Sequence, residues 1–249
     1  MKKLKTLRVA ILCLIAAIAF NTSAYSQVIV GNTADTYITA SSSNVGDGFG
    51  EAGAAGNITV FADTTDPIRV GREATGVQAV AVFVFELPTL TLGQTIGTAN
   101  FDFTIENTAT PSASIDLYGL GFRNTAAVTT NDYFVGALDT TNATLVQNNI
   151  FSGGVSVPAG AYSTDASGDS ALVSYLNDQY TNGAVGGDFV FLRFNHDGGN
   201  TGNRNTFYTA NNGTASNRPE LTVTVVPEPS TAALLILGFG GLLLSRRKR

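Results

Sequence analysis

One ten-residue stretch, Gln78–Leu87, constrains the fold of this chain more than any other. It reads Q-A-V-A-V-F-V-F-E-L and ends against Pro88. Side chains of a strand point alternately to its two faces. Both faces are apolar here, with Phe83, Phe85 and Leu87 on one and Val80, Val82 and Val84 on the other. A strand with two apolar faces needs cover on both sides, which predicts a central strand inside a layered β structure.

Shorter stretches favour strands on either side of it. Residues 99–106 and 221–225 alternate apolar with polar side chains, the pattern of half-exposed strands in an antiparallel sheet. Less regular patterns predict further strands at 28–30, 34–39, 57–61, 114–122, 188–194 and 206–209, with short apolar pieces at 144–146 and 155–157. Gly, Ser, Thr and Asn, which favour turns, are abundant between them.

A single helix is predicted in the second half of the chain. Ser167-Gly168-Asp169 supplies capping residues at its start, and Asn182-Gly183 ends it. Between them, a helical spacing gathers on one face Ala171, Leu172, Tyr175 and Leu176. Because strand follows strand without βα alternation, we expect an all-β fold: a single antiparallel β-sandwich over residues 28–225, of jelly-roll topology, with one short helix.

The first 26 residues have the layout of a secretory signal peptide. Basic residues precede an apolar run over 9–20, and small residues place cleavage after Ala24 or Ser26. The one cysteine, Cys13, lies within the apolar run. Removal of this segment leaves a mature chain without cysteine, which excludes disulfides and thiolate metal sites.

The last 24 residues, 226–249, have three parts in a fixed order. Pro227-Glu228-Pro229 comes first, an apolar run over 231–244 follows, and the basic residues at the end are Arg246, Arg247, Lys248 and Arg249. This layout resembles the PEP-CTERM sorting signal of Gram-negative bacteria. The resemblance implies an exported protein whose tail is recognised at Pro-Glu-Pro by a membrane protease of the exosortase type, in bacteria that make extracellular polysaccharide.

The tail has the physical properties of a short transmembrane helix that crosses a bilayer poorly. Its run of fourteen apolar and small residues would span about 21 Å as a helix, short of the roughly 30 Å hydrocarbon core. The terminal cations stay on the cytoplasmic side by the positive-inside rule, so the preceding domain lies outside. The alternative interpretation is an ordinary C-terminal membrane anchor.

The charge of the domain excludes one class of partner. Residues 28–225 carry six arginines, no lysine and eighteen acidic residues, a formal charge of −12. Such a surface repels nucleic acid. It suits a secreted protein that binds divalent cations or is simply kept soluble by its charge.

A second resemblance concerns the domain itself. Its parts, in chain order, are A-D-T-Y-I at 34–38, the strand V-F-V-F-E-L-P, the stretch T-I-G-T-A-N-F-D-F-T-I and the closing N-R-P-E-L-T-V-T. Together they resemble the DNRLRE-type domain, a jelly-roll group related to carbohydrate-binding modules. The resemblance covers most of 30–225 and implies a sandwich with a link to carbohydrate. Within the closing motif, Arg218-Pro219 is expected to fix the last strand rather than to contact sugar.

His196 is the one ordinary candidate for a catalytic base. It is the only histidine, and residues 28–225 contain neither cysteine nor lysine. A nucleophile needs such a base oriented beside it, whereas a single loop histidine is usually solvated and lacks a second histidine for zinc. Two carboxylates could serve a glycosidase, but no pair stands out. We therefore expect no enzymatic activity, with a glycan-cleaving enzyme as the least favoured alternative.

Candidates for binding are loop arginines, tyrosines and carboxylates. Arginine holds uronic acid or sulfate by bidentate hydrogen bonds, and the absence of tryptophan leaves tyrosine for stacking on sugar. The candidates for glycan contact are Arg69, Arg72, Arg123, Arg204, Tyr133 and Tyr208. For each arginine the alternative is pairing with a nearby Asp or Glu.

No cofactor is expected apart from a structural calcium ion, for which the candidates are few. Calcium takes six to eight oxygen ligands, typically from a loop. The candidate ligands are Asp63, Asp66 and Asp197. Two carboxylates on the turn at 62–67 are too few by themselves, and the alternative is that they cap the turn.

The sequence as a whole predicts a secreted, surface-sorted, non-catalytic protein of the extracellular polysaccharide matrix. Its expected partners are an exosortase-type membrane protease, the membrane through the tail before processing, and extracellular polysaccharide as a candidate ligand. The alternative function is a polysaccharide-binding module for acidic glycans.

Overall fold

The computed structural model describes residues 24–40, 58–61, 67–72, 77–133, 143–196 and 204–227. Within these ranges the strands, numbered β1 to β12 in chain order, are Tyr25–Val30, Thr36–Ala40, Ile58–Val60, Ile68–Arg72, Gln78–Glu86, Gln94–Ile105, Ile115–Arg123, Thr144–Phe151, Gly160–Ser163, Phe189–His196, Arg204–Phe207 and Glu220–Pro227. One helix, α1, spans Ala166–Thr181. Short 3₁₀ turns lie at Thr130–Tyr133 and Ala215–Asn217. The prediction of an all-β fold with one helix is confirmed.

The strands form one antiparallel network. Their order is β1-β12-β6-β11-β4-β5-β10-β7-β8, with β2 paired to β3 and β5, and β9 paired to β6. The pairings between described strands are all antiparallel. The network encloses one large hydrophobic cluster and carries a second, smaller one. This arrangement is consistent with the predicted β-sandwich.

Strand β5 lies at the centre, as its two apolar faces predict. It is flanked by β10 on one side and β2 on the other. The large cluster takes Phe83 and Phe85, and the smaller cluster takes Val80, Val82 and Val84. All five side chains are fully buried, so the prediction of a doubly covered strand is confirmed.

Phenylalanine rings fill the large cluster. The ring of Phe83 lies 5.5 Å from Phe101, 5.6 Å from Phe194 and 6.2 Å from Phe207, measured between centroids. Tilted and edge-to-face contacts of this kind are the favoured geometries of aromatic pairs. The four rings come from β5, β6, β10 and β11, so their packing joins strands that are far apart in sequence.

Helix α1 buries the predicted face but begins earlier than predicted. Leu172, Tyr175 and Leu176 are buried against the large cluster. The N-cap is Asp165, whose carboxylate accepts hydrogen bonds from the amides of Ser167 (2.9 Å) and Gly168 (2.8 Å). Ser167 therefore lies in the first turn instead of capping it, because the aspartate satisfies the free amides.

Several strands were not predicted or have other bounds. β4 and β9 have the short sequences I-R-V-G-R and G-A-Y-S, which show no alternating pattern long enough to identify. β8 continues to Phe151 through the polar Q-N-N at 147–149. Residues 155–157 contribute only an isolated bridge between Val157 and Ala109. β11 spans Arg204–Phe207 instead of 206–209. Pairing with neighbouring strands outweighs local propensity at these positions.

The beginning and the end of the sandwich are neighbours. β1 pairs with β12 so that Tyr25 lies opposite Val225 and Val30 opposite Glu220. Because the two strands are antiparallel, the start of β1 and the end of β12 lie at the same end of the molecule. β1 begins at Tyr25, directly after the earlier predicted cleavage position, Ala24. Cleavage at the later position, after Ser26, would remove the first two residues of this strand.

Candidate functional site

The last described residue, Pro227, is the last residue of the sheet. β12 lies between β1 and β6, but β1 flanks it only as far as Val225. Pro227 pairs with Gln94 of β6 alone. A proline cannot donate to a ladder, so it is tolerated where a strand has one neighbour. Pro-Glu-Pro thus begins with no spacer after the folded domain; the other predicted signal residues, Glu228, Pro229, Arg246, Arg247, Lys248 and Arg249, lie outside the described ranges.

We call the surface around Pro227 the tail end; it comprises Tyr25, residues 89–94, residues 183–188 and Pro227. The hydroxyl of Tyr25 lies 3.5 Å from the carbonyl oxygen of Thr89. A Cβ atom added at Gly186 would lie 2.5 Å from the Cα of Thr89, so the two connections are in close contact. The tail end is thus a continuous surface, formed by two tight connections beside the start of β1 and the end of β12.

A groove of about 380 Å³ opens beside the tail end. It runs along β1 and is lined by residues 27–30, 86–89 and Gly187. Its one charged side chain is Glu86, and no arginine or tyrosine lines it. The groove therefore has none of the groups predicted to bind an acidic glycan.

Two of the candidate arginines share the outer face of β4 and β11. Arg69 lies opposite Thr206, and Arg204, two residues from Thr206, is exposed on the same face. The Nη2 of Arg69 donates to the hydroxyl of Tyr37 at 2.8 Å, and the Tyr37 ring stacks on Phe61 with centroids 4.2 Å apart. We call Arg69, Arg204 and Thr206 the β4–β11 face.

Arg123 and Tyr133 have structural positions instead of solvent-facing ones. Arg123 forms an ion pair with Asp132, which is 1% exposed, and its guanidinium lies 3.8 Å from the centroid of Phe191. Tyr133 is 3% exposed and its hydroxyl donates to Oε1 of Gln78 at 2.9 Å. The prediction that Tyr133 is available to a sugar is wrong, because the ring belongs to the smaller hydrophobic cluster. For Arg123 the alternative, pairing with a nearby carboxylate, is what the structure has.

The remaining candidates are only partly described. Tyr208 is half-buried directly after β11. Arg72 ends β4, and its side chain lies outside the described part. The three calcium candidates, Asp63, Asp66 and Asp197, also lie outside it. Among described residues, no group of three or more His, Cys, Asp or Glu side chains is placed to hold a metal ion.

His196 is a buried residue of β10, not the solvated loop histidine that was expected. It is 0% exposed and its Nε2 accepts a hydrogen bond from the amide of Ala113 at 3.2 Å. The ring continues the inward-facing side of β10 after Leu192 and Phe194. A buried ring whose nitrogen already binds a main-chain amide is poorly placed to take a proton from a bound substrate.

Asp35, which the sequence did not single out, links three parts of the sandwich. It is fully buried, and its carboxylate accepts hydrogen bonds from the amides of Val84 (2.8 Å) and Ala210 (3.0 Å). Burial raises its pKa to about 8, although the two amides act in the opposite direction. The A-D-T-Y-I motif therefore has a structural role at its aspartate.

Arg218 and Pro219 hold the start of the last strand, as expected. The Nε of Arg218 donates to the carbonyl oxygen of Asn212 at 2.8 Å. The carbonyl oxygen of Pro219 accepts from the amide of Gly31 at 2.8 Å. Both contacts are internal to the domain.

Comparison with known protein families identifies the tail. Residues 225–249 match the model of the PEP-CTERM protein-sorting motif. The chain carries an exosortase sorting signal. This signal supports export to the surface or exterior of a Gram-negative bacterium, with an exosortase as partner and the membrane as the tail's location before processing. No curated protein matches the chain. None of the described helices is long and apolar enough to cross a membrane.

Proposed function

We propose that this protein is a non-catalytic component of the extracellular polysaccharide matrix, delivered there by its sorting tail. The observation that carries the proposal is the match of residues 225–249 to the sorting motif, together with a domain whose last strand ends at the motif's first proline. Processing at or near Pro227-Glu228-Pro229 then leaves the β-sandwich outside the cytoplasm.

Two features of the domain support a non-catalytic role. The one histidine is buried in β10 and bound to the amide of Ala113. The buried carboxylates Asp35 and Asp132 are engaged in internal contacts that hold connections of the sandwich. None of these three side chains lies in an open cleft where a substrate could reach it.

We also propose, as a second candidate, that the domain binds acidic polysaccharide through the β4–β11 face. Arg69 and Arg204 are diagonal neighbours on this face, a spacing of roughly 7–8 Å in an antiparallel pair. Phe61, which is 37% exposed, stacks on Tyr37, and the Tyr37 hydroxyl accepts a hydrogen bond from Arg69. Guanidinium groups are suited to a uronic acid or a sulfated sugar, because they form bidentate hydrogen bonds. The resemblance of the domain to the DNRLRE-type group, which is related to carbohydrate-binding modules, favours a carbohydrate ligand without indicating its charge.

Affinity electrophoresis of the mature protein against acidic and neutral polysaccharides, with and without calcium, separates these possibilities. New reducing ends are assayed in the same samples. The variant Arg204→Gln removes an exposed cation from the β4–β11 face. The matched control Arg218→Gln removes a cation that is bound to Asn212 at another place.

Each outcome selects one function. Retardation by acidic polysaccharide that Arg204→Gln weakens and Arg218→Gln retains supports the binding candidate. Equal loss in both variants contradicts the β4–β11 face as the site. Absence of both retardation and cleavage supports a structural matrix component, and new reducing ends overturn the non-catalytic proposal.

A further inference from the structure

We propose that the tail end of the sandwich contacts the outer surface of the membrane while the sorting tail is inserted. The inference rests on the sorting function of the tail and goes beyond it, since it assigns a lipid-contacting surface to the folded domain. The proposed occupant of this surface is the interfacial layer of the bilayer.

The chain length between domain and tail places the two close together. Only residues 228–230 separate Pro227 from the apolar run that begins at Thr231. A fully extended chain spans at most about 3.6 Å per residue, so Thr231 lies within about 14 Å of Pro227. The polar layer of one leaflet is roughly 5–8 Å thick. With the tail inserted, the end of β12 therefore lies within about 10 Å of the headgroups.

The surface that must approach the membrane carries exposed apolar side chains. Leu92 is 105% exposed, Val185 is 63% exposed and Tyr25 is 41% exposed. Turn tips on a solvated surface usually carry polar residues. Leucine and valine at two neighbouring turns, next to a tyrosine, instead resemble the composition of a membrane interface, where tyrosine is enriched.

Both turns are closed in the same way, so the backbone that carries the two apolar residues is held in place. In the first, the amide of Gln94 donates to the carbonyl oxygen of Thr91 (3.0 Å), and the Thr91 amide donates to Oε1 of Gln94 (2.9 Å). In the second, the amide of Asp188 donates to the carbonyl oxygen of Val185 (3.1 Å), and the Val185 amide donates to Oδ2 of Asp188 (2.9 Å). A glycine with positive φ, at 77° and 93°, occupies the third position of each turn.

Charge does not attract this end to an anionic membrane. Among the described residues, the charged side chains at this surface or in the groove beside it are Asp188 and Glu86, and both are acidic. The contact is therefore driven by burial of apolar surface and tethering by the tail, and lipid of zero net charge is sufficient for it.

Site-specific fluorescence quenching tests the contact directly. Cleavage after Ala24, the earlier of the two predicted positions, leaves residues 25–249, which contain no cysteine, so a single introduced cysteine carries the only label. We would label Leu92→Cys and Val185→Cys with an environment-sensitive fluorophore and reconstitute them in phosphatidylcholine vesicles that contain lipid with a nitroxide quencher on its headgroup or, for the tail label, on its acyl chain. Ile236→Cys reports insertion of the tail. Val155→Cys, 56% exposed near the opposite end of β10, is the matched control.

The expected result is loss of emission at positions 92, 185 and 236, retained at high salt, with emission unchanged at 155. Quenching at 236 but not at 92 and 185 would overturn the contact and leave the inserted tail intact. Equal quenching at 155 would also overturn it, because the whole surface would then adhere. Absence of quenching at 236 would refute tail insertion, and with it the basis of the inference.

Discussion

Asp35 is the residue whose chemistry most affects the stability of the sandwich. Its carboxylate binds the amides of Val84 and Ala210 and so ties the connection before β2 to β5 and to the segment after β11. Burial raises its pKa to about 8, above the value near 3.9 of an unfolded aspartate. A raised folded-state pKa means that the folded protein binds the proton more tightly, so stability falls as the pH rises between these two values.

We predict that the free energy of unfolding decreases from pH 5 to pH 8.5, and that Asp35→Asn reduces this decrease. The variant cannot ionise, but its amide nitrogen faces a main-chain donor, which costs about 1–3 kcal/mol. The wild type and the variant should therefore differ most in free energy of unfolding at pH 5. Urea unfolding at several pH values measures it. Asp178→Asn, exposed on α1, controls for loss of an aspartate as such, and the same slope in Asp35→Asn as in the wild type would contradict the prediction.

Two carboxylates lie opposite each other in the ladder of β12 and β6. Glu220 is in register with Asp102. Burial, then the charges of Glu220 and Asp169, raise the pKa of Asp102. Like charges at directly opposite positions destabilise a sheet.

We predict that Glu220→Gln stabilises the domain at pH 7 by about 0.2–1 kcal/mol, because it removes this repulsion. The gain should disappear at a pH low enough to protonate both carboxyl groups, since the repulsion exists only when both are ionised. Denaturant midpoints at the two pH values provide the measurement. Glu86→Gln is the control, since Glu86 is exposed and lies opposite Phe189; an equal gain in this control would show that net charge is the cause.

At the scale of the element, β5 is where sequence and structure agree best. Both faces of this strand are apolar, and each must be shielded from water. The sequence therefore predicts a strand that is covered on both sides. We predict that Val82→Ala costs about 2 kcal/mol, since Val82 is 0% exposed on the second face. Val28→Ala, at a site 53% exposed on β1, should change stability by less than about 0.5 kcal/mol. Equal effects of the two substitutions in urea unfolding would contradict a second covered face.

Elements that depend on a partner strand could not be predicted in the same way. β4 pairs with β11 and β5, and β9 pairs with β6. The sequences of β4 and β9 themselves carry little strand signal. The same limit applies to individual side chains. His196 precedes a polar stretch and Tyr133 follows one, and both were expected near solvent. Both are buried because neighbouring elements cover them. Alternation identifies a strand, but only the fold decides which polar residues on it are enclosed.

The candidate sites show the same division. The sorting tail is recognisable from its sequence because its parts are contiguous. The β4–β11 face is not, since Arg69 and Arg204 are brought together by a pairing between residues more than a hundred positions apart. Asp35 gives no local sign of its burial, because its two amide donors come from β5 and from the segment after β11.

At the scale of the whole molecule, the two ends at which we expect processing lie side by side in the sandwich. Tyr25 lies opposite Val225, and Pro227 ends the sheet against Gln94. In the proposed contact, the tail end faces the membrane during sorting, and the β4–β11 face lies toward the other end of β6. This orientation links the sorting tail, the exposed turns of the tail end and the proposed contact with polysaccharide in one arrangement.

The intact mass of the protein recovered from the extracellular fraction tests the central claim most directly. We predict a chain that begins after the signal peptide and ends at or near Pro227-Glu228-Pro229, without the apolar run and without Arg249. An extracellular protein whose mass includes Arg249 would contradict processing at the sorting motif.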